Sequence, residues 1–260
     1  MFNLNKIGRE ICQIQGGKCN GKVVYYSDKC SKEDDEDTQG LFKEFSHLEL
    51  SGESKFGPYP DTKKERNVIS CFGPSGSGKS FYVKLFLKAY KSEFPKNEIY
   101  MFSKLKDDKS LDDVPGINRV KIDEQLLTEP LETDDFKDSC VIMDDTDALL
   151  NKHFKKAVDD LKNSILETGR HTNSTLLITS HLACKGLETR TVLNESHQIT
   201  IYLSSGSSYD YLLTNYLGFA RKQILLLKEF AENSRWVTIV RGFPQIIFTE
   251  KNIMLLKDLQ

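Results

Sequence analysis

Gly73-Pro-Ser-Gly-Ser-Gly-Lys-Ser80 follows directly on the apolar run Val68-Ile-Ser-Cys-Phe72 and leads into a segment of helical period. It reads G-x-x-x-x-G-K-S, with a strand before it and a helix after it. That is the context in which such a turn cradles phosphates on its backbone amides, at the N-terminus of a helix. Gly73, Gly76 and Gly78 let the backbone take positive φ and come close to the anion. Pro74, Ser75 and Ser77 complete the loop. Lys79 is expected to reach the β- and γ-phosphates, and the Ser80 hydroxyl to ligand Mg²⁺.

Working outward, Val83, Phe86, Leu87 and Tyr90 fall at helical spacing and make one apolar face, while Lys84, Lys88 and Lys91 share another. The lysine stripe reads as a solvated face, with DNA contact as the alternative. Glu98-Ile-Tyr-Met-Phe102 predicts a second strand, and Val114 to Ile122 one short strand. Cys140-Val-Ile-Met-Asp-Asp145 then sets four apolar residues before two acids, the form of a Walker B strand. A buried parallel strand brings its C-terminal end beside the loop, where ligands bind in such sheets. Asp144 would hold Mg²⁺ through its water shell, and Asp145 would polarise the attacking water.

Phe154, Ala157, Val158, Leu161 and Ile165 mark a further helix, stopped by Gly169. Arg170-His171 follow, then the strand Thr175-Leu-Leu-Ile-Thr179 and its polar tip Ser180-His181. Ser180 and His181 are both candidates to sense the γ-phosphate. Gln198 to Leu203 predicts another strand, Ser204 to Ser208 a flexible turn, and Leu217 to Glu232 a helix. Trp236 to Val240 and Gln245 to Thr249 flank Arg241-Gly-Phe-Pro244, which reads as a C-terminal β-hairpin. The predicted fold is α/β: a P-loop NTPase with a mainly parallel sheet flanked by helices, of the additional-strand type. In that type one strand lies between the loop strand and the Walker B strand.

Residues 67–260 are assigned to this domain, and residues 1–66 to a partly irregular N-terminal extension. Within the extension, Val23 to Tyr26 predicts a strand, Ser31 to Asp37 an acidic solvated loop, and Gly57-Pro-Tyr-Pro60 an extended linker. The chain has 260 residues, 38% hydrophobic and 28% charged, as expected of a soluble globular protein. Thirty-six basic and 38 acidic residues give a net charge of −2, which excludes a global cationic field. Six cysteines without a C-x-x-C pair point to a reducing compartment rather than a disulfide scaffold, and Cys19 with Cys30 lacks a second pair of metal ligands. Neither an apolar leader nor a run of ~18 apolar residues is present, so secretion by the usual route and membrane spanning are not expected.

From about Val68 to its end the chain resembles the DNA-packaging ATPases of large DNA viruses, poxvirus-like and giant-virus-like, within the FtsK–HerA class. The resemblance rests on Gly73–Ser80, on Asp144-Asp145, and on Gly169-Arg-His171 ahead of Thr175-Leu-Leu-Ile-Thr-Ser-His181. It implies ATP and Mg²⁺ as cofactors, with Lys79, Ser80 and Asp144 binding Mg·ATP and Asp145 activating water. It implies that Arg170 acts across a subunit interface as an arginine finger, with Arg190 the next candidate. The alternative reading is that Arg170 satisfies carbonyls at its helix C-terminus. The family often carries glutamine after its fourth strand, where this chain has Ser180-His181, and either could take the sensor role. The partners implied are double-stranded viral DNA, sister subunits in a pentameric or hexameric ring, and capsid or inner-membrane portal proteins. The place implied is the cytoplasm of an infected host cell, at the virus factory, or the virion.

Three rival readings remain. ABC-type ATPases share the loop and a histidine after a strand, but carry an L-S-G-G-Q-like signature before Walker B. Here the only loose match, Leu203-Ser-Ser-Gly-Ser207, comes after it. A small-molecule kinase would need an arginine-rich lid, for which 103–137 is the available segment. A nucleotide-dependent assembly switch would not need the complete set Lys79, Ser80, Asp144 and Asp145.

Overall fold

A strand buried on both faces shows no polar side, and Val68–Phe72 has that composition. The computed structural model describes residues 1–28, 46–105, 110–111, 113–181, 186–205 and 207–259. The acidic run at 31–37, and Cys30 and Cys184, lie outside the described residues.

In chain order, the N-terminal strands are β1 (Phe2–Asn3), β2 (Arg9–Gln15), β3 (Val23–Tyr26), β4 (His47–Glu49) and β5 (Lys55–Pro58). Then come β6 (Val68–Phe72), α1 (Lys79–Glu93), β7 (Ile99–Ser103), β8 (Ile117–Val120) and α2 (Glu124–Thr128). Next are β9 (Cys140–Asp144), α3 (Lys152–Thr168), β10 (Thr175–Ser180), α4 (Leu187–Glu195) and β11 (Gln198–Tyr202). The chain closes with α5 (Ser207–Asn215), α6 (Arg221–Phe230), β12 (Trp236–Val240), β13 (Ile246–Thr249) and β14 (Asn252–Leu255).

Among the described residues a ten-stranded sheet runs in the order β4-β14-β13-β12-β11-β6-β10-β9-β7-β8. From β11 to β8 every neighbouring pair is parallel. β10 lies between the loop strand β6 and the acid-bearing strand β9, which is the additional-strand order expected. Its register pairs Ser180 with Phe72 on one side and Thr179 with Asp144 on the other. The ends of three strands therefore stand in one row beside the loop.

The C-terminal hairpin is larger than the turn chemistry indicated. β12 and β13 pair antiparallel as expected, but β14 and then β4 continue the meander. β14 pairs on only four residues and alternates buried and half-buried positions, too short a pattern to stand out. In place of a flexible turn after β11, Leu203–Ser205 form a 3-10 turn and Ser207 opens α5. α5 buries Tyr209, Leu212 and Leu213. α4 had no reading from the sequence.

The segment 1–66 holds more order than its composition suggested. β1, β3, β2 and β5 form a four-stranded antiparallel sheet. The expected linker at Gly57-Pro-Tyr-Pro60 begins inside it, since Gly57 pairs with Gln13 and Pro58 with Cys12. Proline is tolerated there because it ends its strand. This small sheet has a physical task. α1 covers one face of the large sheet near β6, and Phe2, Ile11, Ile14, Val24 and Phe56 cluster with Trp236, Val240, Ile246 and Phe248 of the meander. The opposite face packs against α3, α4, α5 and α6 through residues such as Val158, Ile165, Val192, Leu212 and Leu227. No helix among the described residues is long and apolar enough to cross a membrane.

At the foot of the parallel strands, where they begin, His197 accepts a hydrogen bond from the Val68 amide at 3.2 Å through Nδ1. Burial, with Lys64, Arg66 and Arg241 nearby, holds its pKa down to about 4 from an ordinary 6.5. Between those values the unfolded chain carries the extra proton, so stability falls as pH falls through that window. The melting temperature should therefore drop from about pH 7 to about pH 5, and His197→Asn should flatten that slope. Thermal denaturation at constant ionic strength measures both; an unchanged slope in the variant would place the acid sensitivity elsewhere.

Candidate functional site

The head of the sheet, where the parallel strands end, gathers the chemistry. After β6 the chain turns through Gly73–Gly78 and enters α1 at Lys79. Gly78 has φ +107, a conformation that side chains rarely adopt. A Cβ on Gly73 would stand 2.7 Å from Tyr202 Cβ and 2.8 Å from Ser77 Oγ, so glycine is what lets β11 close on the loop. The Tyr202 hydroxyl donates to the Gly78 carbonyl at 2.8 Å. Ser80 follows Lys79 in the first turn of α1.

Lys79 is the buried cation of this region, 6% exposed. Its ammonium donates to the Gly73 carbonyl at 2.9 Å, the Pro74 carbonyl at 3.3 Å and His181 Nδ1 at 3.1 Å. With Nδ1 accepting, the imidazole proton sits on Nε2, which lies 3.1 Å from Asp145 Oδ2. That same oxygen is 3.7 Å from the Lys79 ammonium. Lys79, His181 and Asp145 thus form a closed triangle of charge and hydrogen bonds.

Asp144 and Asp145 have different surroundings although they adjoin. Asp144 Oδ1 accepts from the Thr179 hydroxyl at 2.8 Å, and Oδ2 from the Ser103 hydroxyl at 3.0 Å. Ser103 and Thr179 are its register partners on β7 and β10. Asp145 takes a left-handed backbone at φ 46, and its amide donates to Thr179 Oγ1 at 3.0 Å. Burial raises the pKa of Asp145; Lys79 and His181 oppose that rise, and the Asp144 charge adds to it. One carboxylate is gripped by hydroxyls, and its neighbour faces a cation and an imidazole.

The candidates divide by position. Gly73–Ser80, Asp144, Asp145 and His181 all stand at the head of the sheet. Ser180 donates to Asp147 Oδ2 at 2.8 Å, so His181 is the member of that pair that meets Lys79. Arg170 is elsewhere: it lies beyond the C-terminus of α3, exposed, at the foot of β10. The carbonyls closing α3 are taken by Arg66, through Ile165 O and Leu166 O, rather than by Arg170. Arg190 lies exposed on α4, its guanidinium 5.9 Å from the Tyr216 ring centroid. Of the lysine stripe, Lys84 and Lys88 pair with Asp113 at 2.7 and 3.0 Å, and Lys91 caps Pro95 and Asn97 carbonyls. Ser103 and Thr179 had no site role in the sequence reading; their only signal is that each lies at or next to the end of a strand beside β9.

The residues fit a nucleotide phosphate chain. Ser77 Oγ is buried without a hydrogen-bond partner among the described residues, beside a glycine turn and a buried ammonium. They also fit Mg²⁺, because Ser80 and Asp144 offer hard oxygen donors. No cluster of three or more His, Cys, Asp or Glu side chains able to hold a metal exists among the described residues. A small hard cation bound here would take most of its shell from phosphate oxygens and water, as Mg²⁺ does. Thr179 is the common support of both acids, so Thr179→Val should destabilise the fold by about 2 kcal/mol, leaving a buried carboxylate oxygen without its donor. Urea denaturation measures this, and a loss under about 0.5 kcal/mol would show that the hydroxyl is not holding Asp144.

No family model matches the chain. Protein V3 of Sputnik virophage, described as uncharacterized, is 38% identical over 252 residues, covering 96% of both chains. Among solved structures, B204, the DNA-packaging ATPase from Sulfolobus turreted icosahedral virus, superposes with a TM-score of 0.47 at 13% identity, over 73% of this chain and 98% of its own. The pCW3 conjugation coupling protein TcpA gives 0.47 at 11% identity, over 92% and 76%. The fold assignment rests on the strand order and the loop of this chain. With more than a third of its residues shared along almost the whole of both sequences, this protein belongs to the family of Sputnik virophage protein V3.

Proposed function

We propose that this protein is an ATPase that drives double-stranded DNA into a viral capsid, working as a homo-oligomeric ring with hydrolysis at subunit interfaces. The observation that carries the reading is the insertion of β10 between β6 and β9, which sets Thr179 and His181 against both acids and Lys79. That order belongs to the additional-strand NTPases and sets the protein apart from most small-molecule kinases. The viral setting is supported by the family relationship to a virophage protein.

The loop motif and the geometry support the following roles. The loop amides and Lys79 bind the phosphate chain, the ammonium exchanging its carbonyl partners for phosphate oxygens. Ser80, and Asp144 through a water shell, would hold Mg²⁺, with Ser103 and Thr179 fixing the Asp144 carboxylate. The ion would supply neutralisation of charge on the phosphate chain. Asp145 accepts the proton of the attacking water, and His181 orients its carboxylate from the side of Lys79. Arg170 is separated from these groups by the length of β10, about 20 Å for six residues. Its proposed role is therefore in trans, as a finger on a neighbouring subunit's phosphates, since it does not reach those of its own subunit.

Lys79→Ala should abolish ATP hydrolysis, and retained turnover would remove the loop from the mechanism. Asp145→Asn should keep ATP affinity while hydrolysis falls about 10²–10⁴-fold; loss of binding would make Asp145 a metal or structural group. Arg170→Ala alone should reduce turnover about 10³–10⁵-fold. Mixing it with Lys79→Ala subunits, whose Arg170 is intact, should restore activity. No recovery on mixing would exclude the trans role. Duplex DNA should stimulate hydrolysis by the wild-type ring, whereas stimulation by a small acceptor alone would favour a kinase.

A further inference from the structure

The first turn of α1 carries a large apolar side chain in the open: Phe81, directly after Ser80, is 46% exposed. The Arg235 guanidinium carbon lies 5.9 Å from the centroid of its ring. Arg235 also borders the loop itself, since a Cβ on Gly78 would come within 3.5 Å of its Nη1. Among the described residues its guanidinium hydrogen-bonds to Glu250 alone. Its Nη2 meets Glu250 Oε1 at 3.0 Å and its amide donates to Glu250 Oε2 at 2.9 Å. Lys55 holds the same carboxylate at 3.1 Å. Glu250 is 5% exposed and Arg235 is 51% exposed, so the guanidinium is tethered below and open above.

The direction of a bound triphosphate follows from the groups already placed. Asp145 and His181 stand on the β9–β10 side of Lys79, and Arg235 heads β12 on the other side of the loop. A phosphate chain with its γ end at Lys79 and Asp145 has its nucleoside end toward Phe81 and Arg235. We propose that Phe81 and Arg235 form the platform on which the nucleobase of the bound nucleoside triphosphate stacks. The proposal rests on Gly73–Ser80 being a nucleotide loop. An aromatic face beside a guanidinium attracts any base through its π system. The half-exposed ring and the one-sided tether then have a shared use.

Titration calorimetry of the full chain with ATP, and separately with inorganic tripolyphosphate, separates base from phosphate binding. Phe81→Ala should weaken ATP about tenfold or more while changing tripolyphosphate affinity by less than about twofold. Arg235→Ala should act in the same sense, and Phe81→Trp should keep ATP affinity. ATP binding unchanged in Phe81→Ala overturns the platform, as does equal weakening of both ligands, which would mean the substitution acts through the loop. If the wild-type chain binds neither ligand, the nucleotide loop itself fails, a result distinct from either.

Discussion

The buried ammonium of Lys79 is the constraint around which the head of the sheet is arranged. A cation taken out of water must be met by acceptors on every side, and two come from the loop, one from His181, with the Asp145 carboxylate nearby. The last two directly follow different strands, so pairing the charge requires β6, β10 and β9 to end together. Their register does this: Ser180 pairs with Phe72 and Thr179 with Asp144, so the three strands end within a residue of one another. Sheet topology and phosphate chemistry are here the same requirement.

What could be read from the chain depended on whether the controlling contacts were local. The loop was legible because its glycines, lysine and serine act within eight consecutive residues, between an apolar strand and an apolar helix face. Asp144 and Asp145 were legible because a four-residue apolar run ends on them. Ser103 and Thr179 were not, because their importance comes from facing Asp144 across two strand pairs, and register is a property of distant segments. Arg170 illustrates the same limit. It adjoins the end of α3 in sequence, but the carbonyls there are met by Arg66 from about a hundred residues away. β5 was hidden by its four-residue length and by the Gly-Pro pair that closes it.

The N-terminal sheet answers a packing problem that the antiparallel meander creates. Extending a parallel NTPase sheet by β12, β13 and β14 exposes new apolar surface on two faces, and the helices occupy one of them. The second face is covered by strands from the opposite end of the chain, which also place Lys55 beside Glu250. Arg9 fastens the far side by donating to the Pro244 carbonyl at 2.9 Å. Folding of the N-terminal strands is thus coupled to β12–β14, and both pack on the α1 side of the Gly73–Ser80 loop.

Arg170 and the acid pair lie at opposite ends of the same parallel strands. Were Arg170 to serve a neighbour as proposed, that neighbour would present the head of its sheet to the foot of this one. In a closed ring the strands would then run along the circumference, and the central axis would stand across them. Any slippage of foot against head during hydrolysis would lengthen or shorten the perimeter, or tilt the ring into a shallow spiral. The strands would act as rigid struts of fixed length, and the compliance of the assembly would reside in the gaps between them.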